Sequence, residues 1–286
     1  MAVTVLRHSP SLPRLFARAA LSSGGRGGEL PHRALRLLDV PVDRSNLLAY
    51  QRSCHLTGGD VLPHAYPHLL GFPLQVQLMA DRSFPLPLPG LVHLENQVTV
   101  YRRLTADDRL DIRVQAADLR PHPKGATVDL LTDVEVAGER VWQGRSTYLR
   151  RGVRTPQAPP RPTGPELPDG PAAAVFRVPA GQGRAYARVS HDVNPIHLHP
   201  LTARALGFPR AIAHGMWSYA RTLAILADAT AGPSASHVWF ARPVLLPSTV
   251  ELVAGGRLDQ PEGVVLGLRS AKDATVRHLT LRVTSR

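Results

Sequence analysis

The sequence has one cysteine, Cys54, in 286 residues. That excludes an internal disulfide framework and any zinc cluster built on cysteine thiolates. Lysine is nearly absent, because 32 of the 34 basic residues are arginine and only Lys124 and Lys272 are not. Aromatic residues make up 5% of the chain, too few for the interleaved stacking surface of a single-strand nucleic-acid binder. The positive charges are scattered, and the densest group, Arg150, Arg151 and Arg154, borders a proline-rich stretch. Nucleic acid is therefore not an expected partner. No run of about 18 uncharged apolar residues occurs, the length a membrane span requires. The best candidate, 211–227, is interrupted by His214 and Arg221, so no membrane partner is expected either.

What is present is 43% hydrophobic residues, 20% charged residues and a formal net charge of +12. That composition fills a core, and the length suits two domains of about 120 residues each. The positive surface suits a small polyanionic ligand such as a phosphate-bearing coenzyme. Residues 1–31 form a basic arm with no acid before Glu29. Their arginines and serines fit two locations, the bacterial cytoplasm or, if the arm is a transit peptide, the mitochondrion. Seven prolines between Pro156 and Pro171 mark 151–172 as a semi-rigid linker.

The halves on either side resemble each other. Ala49-Tyr50-Gln51-Arg52-Ser53-Cys54-His55 matches Ala185-Tyr186-Ala187-Arg188-Val189-Ser190-His191 at an offset of 136, which also places Gly71-Phe72-Pro73 on Gly207-Phe208-Pro209. Later matches, such as Leu110-Asp111-Ile112 with Val250-Glu251-Leu252, run at 140. This is the pattern of a tandem duplication. Each copy reads as a short strand and helix, a polar loop, an apolar helix and four strands. In the second copy the apolar helix spans 215–229, with Met216, Ala220, Leu223 and Ala227 on one face. Strands follow at 236–242, 248–256, 263–270 and 276–284. In the first copy a helix at 72–81 precedes strands at 91–103, 108–119, 125–137 and 140–149. The fold class is α+β, each half a bent antiparallel sheet wrapped around an apolar helix.

The second half carries Tyr186-Ala-Arg-Val-Ser190-His191-Asp192-Val-Asn194-Pro195-Ile196-His197, a short helix at 200–206, then Gly207-Phe208 and Ile212-Ala213-His214-Gly215-Met216. This resembles the hydratase-2 motif of the MaoC-like dehydratases, approximately Y-x-x-x-[ST]-G-D-x-N-P-[IL]-H followed by [IV]-x-H-G-M. Phe240-Ala-Arg242-Pro243-Val244 is similar to a further strand of that family. The resemblance implies a tandem, or double, hot-dog fold and a hydro-lyase of fatty acid metabolism. It would add water reversibly to a trans-2-enoyl thioester, giving an (R)-3-hydroxyacyl thioester.

The residues support that chemistry on their own terms. Asp192 and His197 lie five apart across Asn194-Pro195, and proline biases the residue before it away from helix. A turn there brings a carboxylate and an imidazole to one side, as an acid–base pair around a water requires. Asn194 can organise the loop through backbone hydrogen bonds. Gly215 opens the apolar helix, where unpaired N–H groups and the helix dipole receive enolate charge. The resemblance implies that Gly215 is the oxyanion donor. His191, His214 and Met216 are further candidates for contact with substrate. His191 departs from the family glycine, and His199 stands where an acid is common. His197, His199 and His214 also raise a metal site, but His197 and His199 alternate as in extended chain and no further ligand is placed; no metal is expected.

At the 136 offset Leu56, Gly58, Val61 and Met79 stand opposite Asp192, Asn194, His197 and Gly215, while Asp60 and His64 lie off register. The expected organisation is therefore a non-catalytic copy at 32–150 and a catalytic one at 173–286, with Leu69, Leu70, Phe72, Leu74, Val76, Leu78 and Met79 as core or acyl-tunnel residues. The substrate is an acyl thioester of coenzyme A or acyl carrier protein, no other cofactor is expected, and two such chains can form a homodimer. A hot-dog thioesterase and a catalytically silent acyl-thioester-binding subunit remain the alternatives.

Overall fold

The computed structural model describes residues 2–21, 28–152 and 164–286. The chain opens with strand β1 (Ala2–Leu6) and helix α1 (Leu12–Leu21) and then runs twice through one plan. The first pass is β2 (Arg33–Val40), α2 (Arg44–Ser53), α3 (Tyr66–Met79), β3 (Leu91–Val100), β4 (Leu110–His122), β5 (Gly125–Val136) and β6 (Glu139–Arg151). The second is β7 (Ala174–Val178), α4 (Gln182–Ser190), α5 (Pro195–Leu198), α6 (Pro200–Ala205), α7 (Gly215–Leu223), β8 (Ser234–Phe240), β9 (Ser248–Gly256), β10 (Val264–Ser270) and β11 (Arg277–Ser285). Strands β2-β4-β5-β6-β3 of the first half and β7-β9-β10-β11-β8 of the second have the same order. The duplication and the double hot-dog architecture are thus present in the topology itself.

The two sheets become one through β3 and β8. These pair antiparallel from Glu95↔Trp239 to Val100↔Ser234, so each hides an edge that would otherwise be open to foreign strands. Helices α2, α4 and α7 meet across the same junction. The Asn46 side chain donates to the Val189 carbonyl at 3.0 Å, and the Trp217 indole donates to the Ser53 carbonyl at 2.9 Å.

The sheet wraps α3 closely. Leu74, Val76 and Leu78 are fully buried, together with Ile112, Val114, Leu130 and Val134 of the strands. An apolar helix of this kind cannot be told from its hydrophobic periodicity, because nearly every side of it faces protein. It starts at Tyr66 rather than at 72. Pro67 occupies the first turn, and Pro73 lies inside the helix. At the other end, α7 stops at Leu223 instead of running to 229. A 3-10 turn at Ala224–Leu226 follows, Ile225 is exposed, and Thr230 Oγ1 donates back to the Leu226 carbonyl as the chain turns into β8.

Residues 2–21 of the N-terminal arm pack onto the first half. Strand β1 pairs parallel with β2, and Leu12, Leu15 and Ala19 of α1 are buried in the core. The proline-rich stretch is a linker only in part. Residues 153–163 lie outside the described residues, but 164–172 run along the second sheet, where Leu167 lies against Gly267 and Pro168 against Gly255. Side chains at those two glycines would displace it.

Gly71 shows how tightly α3 is enclosed. A Cβ there would lie 2.7 Å from Thr132 Cγ2 and 3.7 Å from Ile112 Cγ2. Gly71→Val should therefore lower stability by about 1–3 kcal/mol, the usual cost of overpacking a core. Denaturant unfolding would show it as a lower midpoint with unchanged slope.

Candidate active site

Helix α4 ends at His191, whose φ of 56° is left-handed. That turns the chain sharply and explains why glycine suits this position. Asp192 follows, its N–H donating to Ser190 Oγ at 3.2 Å. The Asp192 carboxylate accepts the Asn194 N–H at 3.1 Å. Asn194 is extended before Pro195 and caps α5 by accepting the Ile196 N–H at 3.4 Å. One turn later His197 donates its backbone N–H to the Asn194 carbonyl at 3.0 Å. The five-residue spacing is thus an Asx turn followed by a single helical turn. Gly183 of α4 allows it, because a side chain there would collide with the His197 carbonyl.

A second strand of contacts comes from the residues before α7. His197 Nδ1 donates to the Ile212 carbonyl at 2.9 Å, and Ile212 N–H donates to the Ile196 carbonyl at 3.1 Å. His214, the N-cap of α7, donates from Nε2 to the Asp192 carbonyl at 3.0 Å. Its ring stacks on His197 at 3.7 Å between centroids. Asp192, His197 and His214 therefore bring their functional atoms within 4.8 Å of one another. Gly215 begins α7 beside them, and its N–H has no helical partner because it belongs to the first turn. A Cβ on Gly215 would lie 3.3 Å from the Phe240 ring.

Electrostatics separate the acid from the bases. Burial raises the Asp192 pKa above the ordinary carboxylate value, opposed by His197 and by the Asn194 N–H. Burial, reinforced by His214, pushes His197 down to about 3, against the pull of Asp192 and the Ile212 carbonyl. His214 falls to about 4 for the same reason, partly offset by its bond to Asp192. His197 is consequently a neutral imidazole whose Nδ1 carries the proton, leaving the Nε2 lone pair to accept another. The Asp192 side chain keeps 19% of its surface exposed, so substrate can reach it.

The structure brings Asp192, Asn194, His197, His214 and Gly215 together. It places His191 on the surface and Met216 in the core. His199 is apart from the other histidines and caps α6, its Nδ1 accepting the Leu201 N–H at 3.2 Å. The group that could hold a metal is Asp192, His197 and His214. Both imidazoles already bond a carbonyl and their rings are stacked, so the remaining ring nitrogens lie in nearly parallel planes.

Sequence reading missed the wall supplied by the first half. Tyr148 of β6 lies close enough to Asp192 for the carboxylate to raise its pKa further, after burial. Its ring stacks on His93 at 4.6 Å, and His93 lies 5.1 Å from Phe240. Tyr148 donates to Gln75 of α3 at 3.0 Å, and Gln75 donates to Thr132 at 3.0 Å. These residues sit on β3, β6 and α3, and only the sheet junction carries them to the site; no local spacing signals it.

The repeat register also needs correction beyond His55. His55 and His191 share a left-handed backbone, φ 57° and 56°, so Leu56 does stand opposite Asp192. After that the copies diverge, with 54–65 joining α2 to α3 and the longer 191–214 joining α4 to α7. The added length is α5 and α6, which hold the loop from Asp192 to His197. Gly71-Phe72-Pro73 lies inside α3 and is no counterpart of Gly207-Phe208-Pro209, and the residue opposite Gly215 is Tyr66 rather than Met79.

Comparison with known proteins agrees with this geometry. The MaoC like domain model matches residues 168–256. The 3-hydroxyacyl-thioester dehydratase X of Mycobacterium tuberculosis is 38% identical over 239 residues, covering 82% of this chain and 85% of that protein. The chain belongs to the MaoC-like dehydratases. The crystal structure of HtdX from Mycobacterium tuberculosis superposes with a TM-score of 0.78 at 34% identity, covering 89% of this chain and all of that one. A peroxisomal enoyl-CoA hydratase 2 of Arabidopsis thaliana is 30% identical over 153 residues, covering 46% of this chain and 49% of its own. A MaoC-like dehydratase of Phytophthora capsici shares the fold, with a TM-score of 0.72 at 17% identity over 90% of this chain and 96% of that one.

Burial in this MaoC-like dehydratase has a pH consequence. His64, His68, His197 and His214 are buried, and burial lowers each to about 4 or about 3. Below pH 6.5 the unfolded chain binds protons there that the folded chain does not, so stability falls as pH falls. These four give a limiting slope of about 5 kcal/mol per pH unit, and His93, pushed down by burial to about 3, adds to it. Chemical denaturation at pH 7, 6 and 5 should show steep loss towards pH 5, and a flat profile would contradict neutral buried imidazoles.

Proposed function

We propose that this MaoC-like dehydratase interconverts trans-2-enoyl and (R)-3-hydroxyacyl thioesters, with coenzyme A as the carrier. The observation that supports this most directly is His197, held as a neutral base by the Ile212 carbonyl, beside Asp192 and in front of the open N-terminus of α7. In the hydration direction a water lies between the Asp192 carboxylate and His197 Nε2. Its oxygen attacks C3 while its proton passes to the pair, and a proton from the pair is delivered to C2. Negative charge developing on the thioester oxygen is received by the Gly215 N–H at the positive end of the helix. The reaction needs no group beyond the thioester itself. His214 keeps the Asp192 backbone in place and stacks on His197, and His191 on the exposed rim is positioned for the coenzyme.

Enoyl-thioester absorbance should fall when the protein meets crotonyl-CoA or a longer 2-enoyl-CoA, without release of free thiol. Thiol release would instead indicate a thioesterase, and no turnover with any thioester a silent binding subunit. Asp192→Asn and His197→Gln should each lower kcat by about 10²–10⁴-fold, the usual weight of a general acid or base.

Gly215 allows a sharper test. His214 is already extended, φ −64° and ψ 137°, as a residue before proline must be, and proline is well tolerated at the first helical position. Gly215→Pro removes the N–H while keeping the helix start, and should lower kcat by about 10²-fold or more. Gly215→Ala keeps the N–H and only crowds Phe240, so it should lose much less. Equal losses in the two variants would argue against an oxyanion role.

A further inference from the structure

The pseudo-twofold arrangement of the halves defines a place in the first half that corresponds to the catalytic site. It is bounded by the end of α2, the loop to α3 and the first turn of α3. Its chemistry is gone, because Leu56 replaces the carboxylate and α3 opens with Tyr66 and Pro67 instead of a bare glycine. Its space is not. A cavity of about 280 Å³ lies there, lined by Leu56, Val61, Leu62 and Ala65 of the first half and by Ala220 and Leu223 of α7. That volume is close to the lower end for ligand sites, about 300 Å³.

The buried side chains Gln51 and His64 in its wall are already bonded. Gln51 donates to the Gly59 carbonyl at 2.9 Å and accepts the Gly59 N–H at 3.2 Å. His64 bonds Ser236 at 2.8 Å and Ser234 at 3.2 Å. Neither asks for a polar ligand, so the interior suits hydrocarbon. Arg103 and Asp228 also line the cavity and are both exposed. No carboxylate among the described residues pairs with the Arg103 guanidinium. One carboxylate fits beside Arg103, whereas Asp228 opposes a multiply charged head such as the phosphates of a coenzyme.

We propose that the first half retains a non-catalytic site for a medium-chain fatty acid, its hydrocarbon in the cavity and its carboxylate on Arg103. A volume just under that of small ligand sites, about 300 Å³, suits a chain of the length of octanoate to decanoate better than a long one. The site is separate from Asp192 and His197 and does not depend on which thioester the enzyme uses. The two sites share α7, whose first residue is Gly215 and whose Ala220 and Leu223 form the cavity wall.

Calorimetric titration of the full chain with decanoate tests this. One decanoate should bind per chain, and octanoate about tenfold more weakly, for the loss of two methylenes. Ala231 lines the cavity as Leu56 does, and Ala231→Trp and Leu56→Trp should each fill it and abolish binding. Arg103→Gln should weaken it about tenfold. Thermal unfolding of each variant reports folding, so the result stands whether or not the chain hydrates thioesters. No binding by the wild type would overturn the proposal. So would binding that survives both filling variants, or binding that is lost in Gly215→Trp alone, which would place the fatty acid in the catalytic site.

Discussion

The pairing of β3 with β8 is the interaction on which the rest of the structure depends. It joins six strands, β1 included, to the five of the second half through a register of main-chain hydrogen bonds, and it is reinforced by the His237–Glu95 hydrogen bond at 3.1 Å and by stacking of His237 on Trp239. A strand edge of either half alone would be exposed to any other chain, so neither sheet is complete without the other. Because the two halves are tethered, their association proceeds at the high local concentration of a linked pair. The same pairing places Tyr148 and His93 of one half against the catalytic loop of the other.

Burial then shapes the chemistry. A carboxylate driven upward and an imidazole driven downward, side by side, are matched for exchanging protons with a water. The ordering is local and redundant. Asn194 holds Asp192, Ile212 holds His197, and His214 ties the Asp192 backbone to the start of α7. Fixing both ring tautomers through carbonyl acceptors leaves one free lone pair on His197 where it is useful. Concentrating neutral histidines inside the core makes the fold sensitive to acid, so the feature that tunes the site also limits the pH range in which it exists.

The duplication separated two tasks that a homodimer would have to combine. The second half carries α5 and α6 between its two main helices, and with them the loop from Asp192 to His197. The first half has a shorter connection there, an earlier start to α3 and no acid–base pair. Freed from catalysis, it contributes the sheet partner, an aromatic and imidazole wall beside Asp192, and the buried network through Gln75 and Thr132.

Much of this was legible in the chain. Alternating apolar residues and turn signals placed the eight long strands within three residues of their observed ends. The Asp192-to-His197 spacing, with Asn194-Pro195 between, determined a compact Asx turn because its hydrogen bonds are local. Gly215 at the head of an apolar segment determined where a helix would present an open N–H. What the sequence did not reveal was whatever depends on distant packing. The start of α3 was misplaced because a helix enclosed on nearly all sides has no hydrophobic face to mark its phase. The strand and helix at 2–21 were missed because their partners, β2 and the core around α3, lie elsewhere in the chain. Tyr148, His93 and Gln75 were invisible as site residues because only the β3–β8 junction carries them to Asp192. Local spacing determined the catalytic loop; tertiary structure decided its walls, since strand pairing brings together residues whose separation in sequence encodes no contact.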